Sequence, residues 1–127
     1  MSFSPREFRD ALGLFPTGVA VITAKTAAGE LLGATVSSFN SVSLEPPLVL
    51  FSVGRNARAF EHWNSVEHYA VNLLGEAQSE ISTRFSKAMS DKWQGLAPIE
   101  GEAGPPLLPE ALAWFEGRIR ERYDGGD

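Results

Sequence analysis

Residues 32–53 read LGATVSSFNSVSLEPPLVLFSV, and this stretch decides the fold. It holds two apolar runs, GATV and LVLFSV, around a block with five hydroxyls in nine residues: Thr35, Ser37, Ser38, Ser41 and Ser43. Pro46-Pro47 closes the block. Proline fixes φ and lacks an N–H, so the pair belongs at the mouth of a strand and not inside one. A packed core has little use for such a density of hydroxyls, whereas a polar, phosphorylated ligand does.

On either side of this stretch the chain reads as short strands. GVAVITA, residues 18–24, is rich in β-branched residues and predicts a buried strand. A polar turn at 25–30 leads back through 31–36, so the two form a hairpin. Residues 48–53 are continuously apolar and predict a third strand buried on both faces. HYAVNL, 68–73, predicts a fourth, and the alternation over 110–123 a half-solvated fifth.

Helices flank the strands. Ser4, Pro5 and Glu7 form a capping box with proline at the first helical position, and Phe3 and Phe8 stand at the staple positions. Phe8, Ala11, Leu12 and Phe15 follow helical spacing up to Gly13 and Pro16, predicting a helix that lids a sheet. A short helix is expected over 59–64 and a longer one over 76–87. Residues 90–99 read as irregular with Trp93 free to pack, and 100–109 as a Gly/Pro-rich loop. The fold class is mostly β with flanking helices, an antiparallel barrel.

Composition narrows the function. The 127 residues make one domain, 43% apolar and 21% charged, with net charge −5. An acidic chain lacks the basic face that nucleic acid requires. There is no cysteine, which removes disulfides, thiol nucleophiles and cysteine metal sites. No apolar run approaches the ~18 residues of a membrane span, and MSFSPREF is no signal peptide. A cytoplasmic protein is expected. His62 and His68 have no ligand-spaced carboxylate, and packing or surface roles suit them better than zinc. G-x-S-x-G, G-x-G-x-x-G and G-x-x-x-x-G-K-[ST] are all absent.

A site without protein nucleophiles points to a cofactor that carries the chemistry itself. A flavin suits the residues. Its ring needs backbone groups at a sheet edge, its ribityl chain needs hydroxyls, and its phosphate needs cations or free N–H groups. Gly54-Arg55-Asn56-Ala57-Arg58 is a glycine-led loop that opens onto a helix and offers two arginines for an anion. Arg84 on the longer helix offers a third.

Four segments together carry a family resemblance: FPTGVAVITA at 15, GATVSSFNSVSLEPPLVLFSV at 33, YAVNLLGEAQSEISTRFS at 69 and ALAWFEGRI at 111. The chain resembles the short-chain flavin reductases that serve two-component flavin-dependent monooxygenases. The resemblance implies a split β-barrel of Greek-key type that binds FMN or FAD, as a homodimer with flavin near the subunit interface. It implies NADH or NADPH as hydride donor and a monooxygenase that receives reduced flavin. A non-catalytic flavin-binding module of the same fold is the alternative. By motif, Thr35, Val36, Ser37 and Ser38 are implied at the ring and ribityl chain, with Ser41 beside them. Ser52, Val53, Gly54, Arg55 and Arg58 are implied at ribityl and phosphate groups, and Asn72, Leu73 and Arg84 on later segments that approach the cofactor. No side chain is implied as acid, base or nucleophile.

Two departures follow. Ala57 and Ala59 stand where the family often has Ser or Thr, which shifts the phosphate onto Arg55, Arg58 and backbone N–H groups. Asp124-Gly125-Gly126-Asp127 is a turn that calls for a partner strand, and the family usually continues Gly-Asp-His. The nicotinamide-side histidine and the last barrel strands are therefore expected beyond Asp127.

Overall fold

The computed structural model describes residues 2–15, 18–87 and 92–127. Helix α1 spans Pro5–Leu12. Strands β1 Ala20–Lys25, β2 Leu31–Val36, β3 Asn40–Leu44 and β4 Pro47–Leu50 follow. Helix α2 Phe60–Trp63, strand β5 His68–Leu73, a 3-10 turn at Glu76–Gln78 and helix α3 Ser79–Phe85 come next. Two-residue strands β6 Ile99–Glu100 and β7 Pro106–Leu107 precede β8 Ala113–Arg118. Every pairing is antiparallel. Among the described residues there is one four-stranded sheet, ordered β2-β1-β5-β8, with two-stranded sheets β3-β4 and β6-β7.

The inner strands β1 and β5 are the buried ones. On β1, Ala20, Ile22 and Ala24 pack with Leu32, Trp63, Val66, Tyr69 and Val71 on one face of the sheet. Val21 joins Phe85 and Leu108 on the other face. Two cores therefore sandwich the sheet, with α2 and the β3-β4 hairpin over one face and α3 with the 92–96 and 106–108 segments over the other. No helix among the described residues is long and apolar enough to cross a membrane.

Several expectations change. The hydroxyl block is itself a strand, β3, which runs back along β4 with a register shift between Ser41 and Ser43. Pro47 opens β4, as proline at a strand mouth should, and the Glu45–Pro46 peptide before it is cis. Residues 48–53 are not buried on both faces: only Pro47–Leu50 is strand, and its ends are exposed. The reason is that β4 has a single partner strand, so Val49, Phe51 and Val53 reach the core while Leu50 faces outward. The 76–87 helix begins as a 3-10 turn, because the Gln78 side chain accepts from Gly75 N at 3.0 Å and donates to Pro109 O at 3.1 Å. This leaves Ala77 exposed. The fifth strand is trimmed to β8, and residues 119–127 beyond it form no regular secondary structure, bending at Gly126, whose N–H meets the Asp124 carboxylate.

Helix α1 has the expected cap. Ser4 Oγ accepts from Glu7 N at 3.1 Å, Glu7 accepts from Ser4 N at 3.2 Å, and the Phe3 and Phe8 rings stack at 5.7 Å. Gly13 is its C-cap; Pro16 and Ser90 lie outside the described residues. The helix lids nothing among the described residues: none of its own residues is buried. Both sheet faces are already covered by other elements, and Phe8, Leu12, Leu14 and Phe15 stay at least half exposed.

One close contact fixes α3 on β2. A Cβ built on Gly33 would stand 2.3 Å from the buried Phe85 ring. Inserting even a methyl into such packing costs about 1–3 kcal/mol. Gly33→Ala is expected to lower the thermal unfolding midpoint by roughly several degrees, followed by circular dichroism; an unchanged midpoint would show that the ring yields freely.

Candidate functional site

Among the described residues β2 is an edge strand of the four-stranded sheet, with no strand partner on one side of its backbone. Along this edge runs a cleft of about 360 Å³, lined by residues 30–36, 52–54, 57–59, 62–63, 85–87 and 92–93. The Gly54 loop and α2 form one wall. The end of α3 and the Lys92-Trp93 segment form the other.

The walls are held by identifiable bonds. Thr35 Oγ1 donates to Ser82 O on α3 at 2.6 Å. The Lys92 ammonium donates to Gly33 O at 2.9 Å and to Phe85 O at 3.1 Å, so it occupies an outward carbonyl of β2 that a further strand would otherwise take. Burial draws the Lys92 pKa below the ordinary lysine value. The Phe85 and Trp93 rings meet edge to face at 5.0 Å, and Trp93 Nε1 is a buried donor with no protein partner among the described residues. Ser52 N donates to Ser38 Oγ at 2.9 Å, which joins the mouth of the cleft to the end of β2.

The charges in the cleft are mostly positive. Arg58, Lys87 and Lys92 line it, together with His62, whose Nε2 lies 4.0 Å from Glu30 Oε2. Among the described residues no group of three acidic or histidine side chains could hold a metal. A second hollow of about 380 Å³ lies beside Val19, Leu74 and the hydroxyls of Ser79, Ser82 and Thr83. It is as large but has no cationic or aromatic lining, so chemistry and not size favours the β2 cleft.

The sequence-predicted residues divide. Thr35, Val36, Ser52, Val53, Gly54 and Arg58 line the cleft, as do Ala57 and Ala59. Ser38 touches it through Ser52. Ser37 is an exposed bend residue, and Ser41 lies on β3 outside the lining. Asn72 and Leu73 are on β5, separated from β2 by β1. Asn72 is fully buried and its amide is consumed by the core: Nδ2 donates to Val21 O at 2.9 Å and Thr23 Oγ1 at 3.1 Å, and Oδ1 accepts from Leu108 N at 2.8 Å. Arg84 faces the loop behind the wall, donating to Gln94 O at 2.8 Å and standing 3.7 Å from Glu80.

Arg55 also points elsewhere. Its backbone N–H donates to Asp127 O and its Nε to Gly126 O, each at 2.8 Å, and its guanidinium pairs with Asp124. That hydrogen bond, the Gly126 N–H and the guanidinium charge hold the Asp124 carboxyl below the usual aspartate range. A depressed carboxylate contributes above its unfolded pKa, and the contribution is lost as pH falls through the lowered value.

Sequence reasoning missed Gly33, His62, Trp63, Phe85, Lys87, Lys92 and Trp93. The Lys92-Trp93 pair, a cation beside an aromatic residue, was the available signal; only the fold shows that it faces β2.

This cleft lies within a recognisable family domain, since residues 12–127 match the model of the flavin reductase like domain. The chain belongs to the flavin reductase like family. Among flavin reductase relatives, the stachydrine N-demethylase reductase subunit Stc3 of Rhizobium meliloti (strain 1021) is 40% identical over 125 residues, 98% of this chain. This chain spans about half of that relative's length, 54%. The FMN reductase (NADH) SmoA of Agrobacterium fabrum is 42% identical over 126 residues, covering 96% of this chain and 69% of SmoA. The solved NADH:FAD oxidoreductase SgcE6 of Streptomyces globisporus C-1027, in complex with NAD and FAD fragments, matches with a TM-score of 0.90 at 35% identity, over 100% of this chain and 78% of that one. The fold is thus the mostly β, split-barrel type of these reductases.

Proposed function

We propose that this flavin reductase family member binds FMN or FAD in the β2 cleft and reduces it with NADH or NADPH. It would act as a cytoplasmic homodimer that supplies reduced flavin to a partner monooxygenase. The observation that carries the reading is the cleft itself: a strand edge open among the described residues, hydroxyls at Thr35 and Ser52, and three described cationic side chains against one carboxylate. The names of the relatives above support the same chemistry.

The donor set fits the group. Thr35, Val36, Ser52 and Val53 would hold the ring and ribityl chain, with Ser37, Ser38 and Ser41 nearby. Arg58 and the Gly54 backbone would hold the phosphate, which charge-assisted hydrogen bonds favour. When bound, the flavin supplies the ring position that accepts hydride from the nicotinamide. The protein's part is to orient and desolvate: Phe85, Trp93 and Trp63 wall the cleft with apolar surface, and Lys92 keeps positive charge at the β2 edge. No acid or base is demanded of the chain.

Homodimerisation accounts for α1. Its capped helix leaves Phe8 and Leu12 half exposed, with Leu14 and Phe15 largely exposed beyond it, a surface suited to a second copy.

Steady-state absorbance with free FMN or FAD is expected to show NADH or NADPH consumption. Uptake of flavin without consumption would replace the reductase reading with a carrier. Arg58→Ala is expected to raise the flavin dissociation constant at least several-fold, because a hydrogen bond to a charged group is worth roughly 1.5–3 kcal/mol; unchanged affinity would remove Arg58 from the phosphate site. Sedimentation velocity is expected to give the mass of two chains, shifting toward one in Phe8→Glu; a monomeric wild type would refute the dimer.

A further inference from the structure

The segment after β8 first continues the β5 pairing, then passes α2 and reaches Arg55. Ile119 N donates to Glu67 O at 2.7 Å, and the Arg122 guanidinium donates to the carbonyls of Trp63 and Val66. The Asp124–Asp127 turn then meets Arg55 at three points: Asp124 carboxylate to guanidinium, Gly126 O to Nε, and Asp127 O to the backbone N–H. Gly126 N also donates to Asp124 at 3.3 Å, which shapes the turn toward its partner. The guanidinium lies 5.9 Å from the Phe60 ring centroid, at the first turn of α2.

Arg55 itself is absent from the cleft lining, yet its neighbours Gly54, Ala57 and Arg58 form one wall of it. Local restraint on this loop comes from two backbone bonds, Ala57 N to Gly54 O at 3.0 Å and Phe60 N to Ala57 O at 3.1 Å, and Ala59, the N-cap of α2, makes no side-chain bond. Ala57 and Ala59 offer no hydroxyl to fix the backbone. The placement of Gly54 and Arg58 then depends on what holds Arg55.

We propose that Arg55 is a positioning residue and not a cofactor ligand: with Asp124 it clamps the 54–58 loop to the 124–127 turn and so sets where Arg58 and the Gly54 backbone stand in the cleft. This rests on the reading of the cleft as the flavin site. An exposed ion pair alone contributes little. Here the same residue also spends its backbone N–H and Nε on two carbonyls of the turn, so one ordering cost is shared by three attachments.

The test uses flavin fluorescence titration of the wild type, Asp124→Asn, Arg55→Gln and the double variant. Each single variant is expected to raise the flavin dissociation constant about three- to tenfold, and the double variant no further than the worse single, as residues acting as one unit do. Asp124→Glu is expected to recover most of the loss, and melting temperatures to fall only slightly, since the pair is exposed. Unchanged affinity in Asp124→Asn would overturn the clamp. So would losses that add in the double variant, which would place Arg55 on the flavin. Amide hydrogen exchange at residues 54–58 in the flavin-free chain gives an independent arm. Faster exchange in Asp124→Asn supports the clamp, and unchanged exchange sinks it. A wild type that takes up no flavin refutes the flavin reading, and the exchange arm still decides the clamp.

Discussion

The cleft depends on how closely α3 approaches the edge of β2. A glycine at 33 removes the side chain that would hold the helix off, and the Phe85 ring fills the space. Three hydrogen bonds then lock the contact, one from Thr35 to Ser82 and two from Lys92, to Gly33 and Phe85. The Lys92 ammonium does something a strand could not. It satisfies an edge carbonyl and discourages edge-to-edge pairing, yet leaves the rest of the edge reachable.

A second constraint lies on the opposite side of β1. Asn72 joins the inner strands to the 106–108 segment through bonds to Val21, Thr23 and Leu108, and Thr23 adds a bond to Pro106 O at 2.6 Å. Buried polar groups with all partners present specify a single arrangement. The register of β1 and β5 is set there, and β2, which pairs with β1 along its whole length, inherits its position.

Much of this is legible in the sequence, and the illegible parts share a cause. β1 and β5 announce themselves because inner strands are apolar on both faces, and the Ser4 capping box is local chemistry. The 48–53 run is just as apolar but forms a hairpin with one covered face, a fact of its partners and not of its composition. The six predicted residues that line the cleft sit on β2 or on the loop after β4. Asn72 was implied near the cofactor by the resemblance, and Arg84 and Arg55 by the resemblance and as cations for an anion. Each is already bonded to a segment distant in sequence: Asn72 to Leu108, Arg84 to Gln94, Arg55 to Asp124. Periodicity reports faces, but it cannot report which distant carbonyl claims a donor.

Charge follows the same division between whole and part. The chain is acidic overall, with net charge −5, while its cleft gathers Arg58, Lys87 and Lys92. A local field and a net charge act on different scales. The cleft also contains two of the three tryptophans: Trp63 on the α2 wall and Trp93 on the α3 wall, with Trp114 on β8 outside the lining. The molecule therefore carries an optical reporter on each side of the groove. Any bound chromophore that absorbs near-ultraviolet light drains indole emission from both walls, so occupancy of the cleft registers in the intrinsic glow of the chain, without a label.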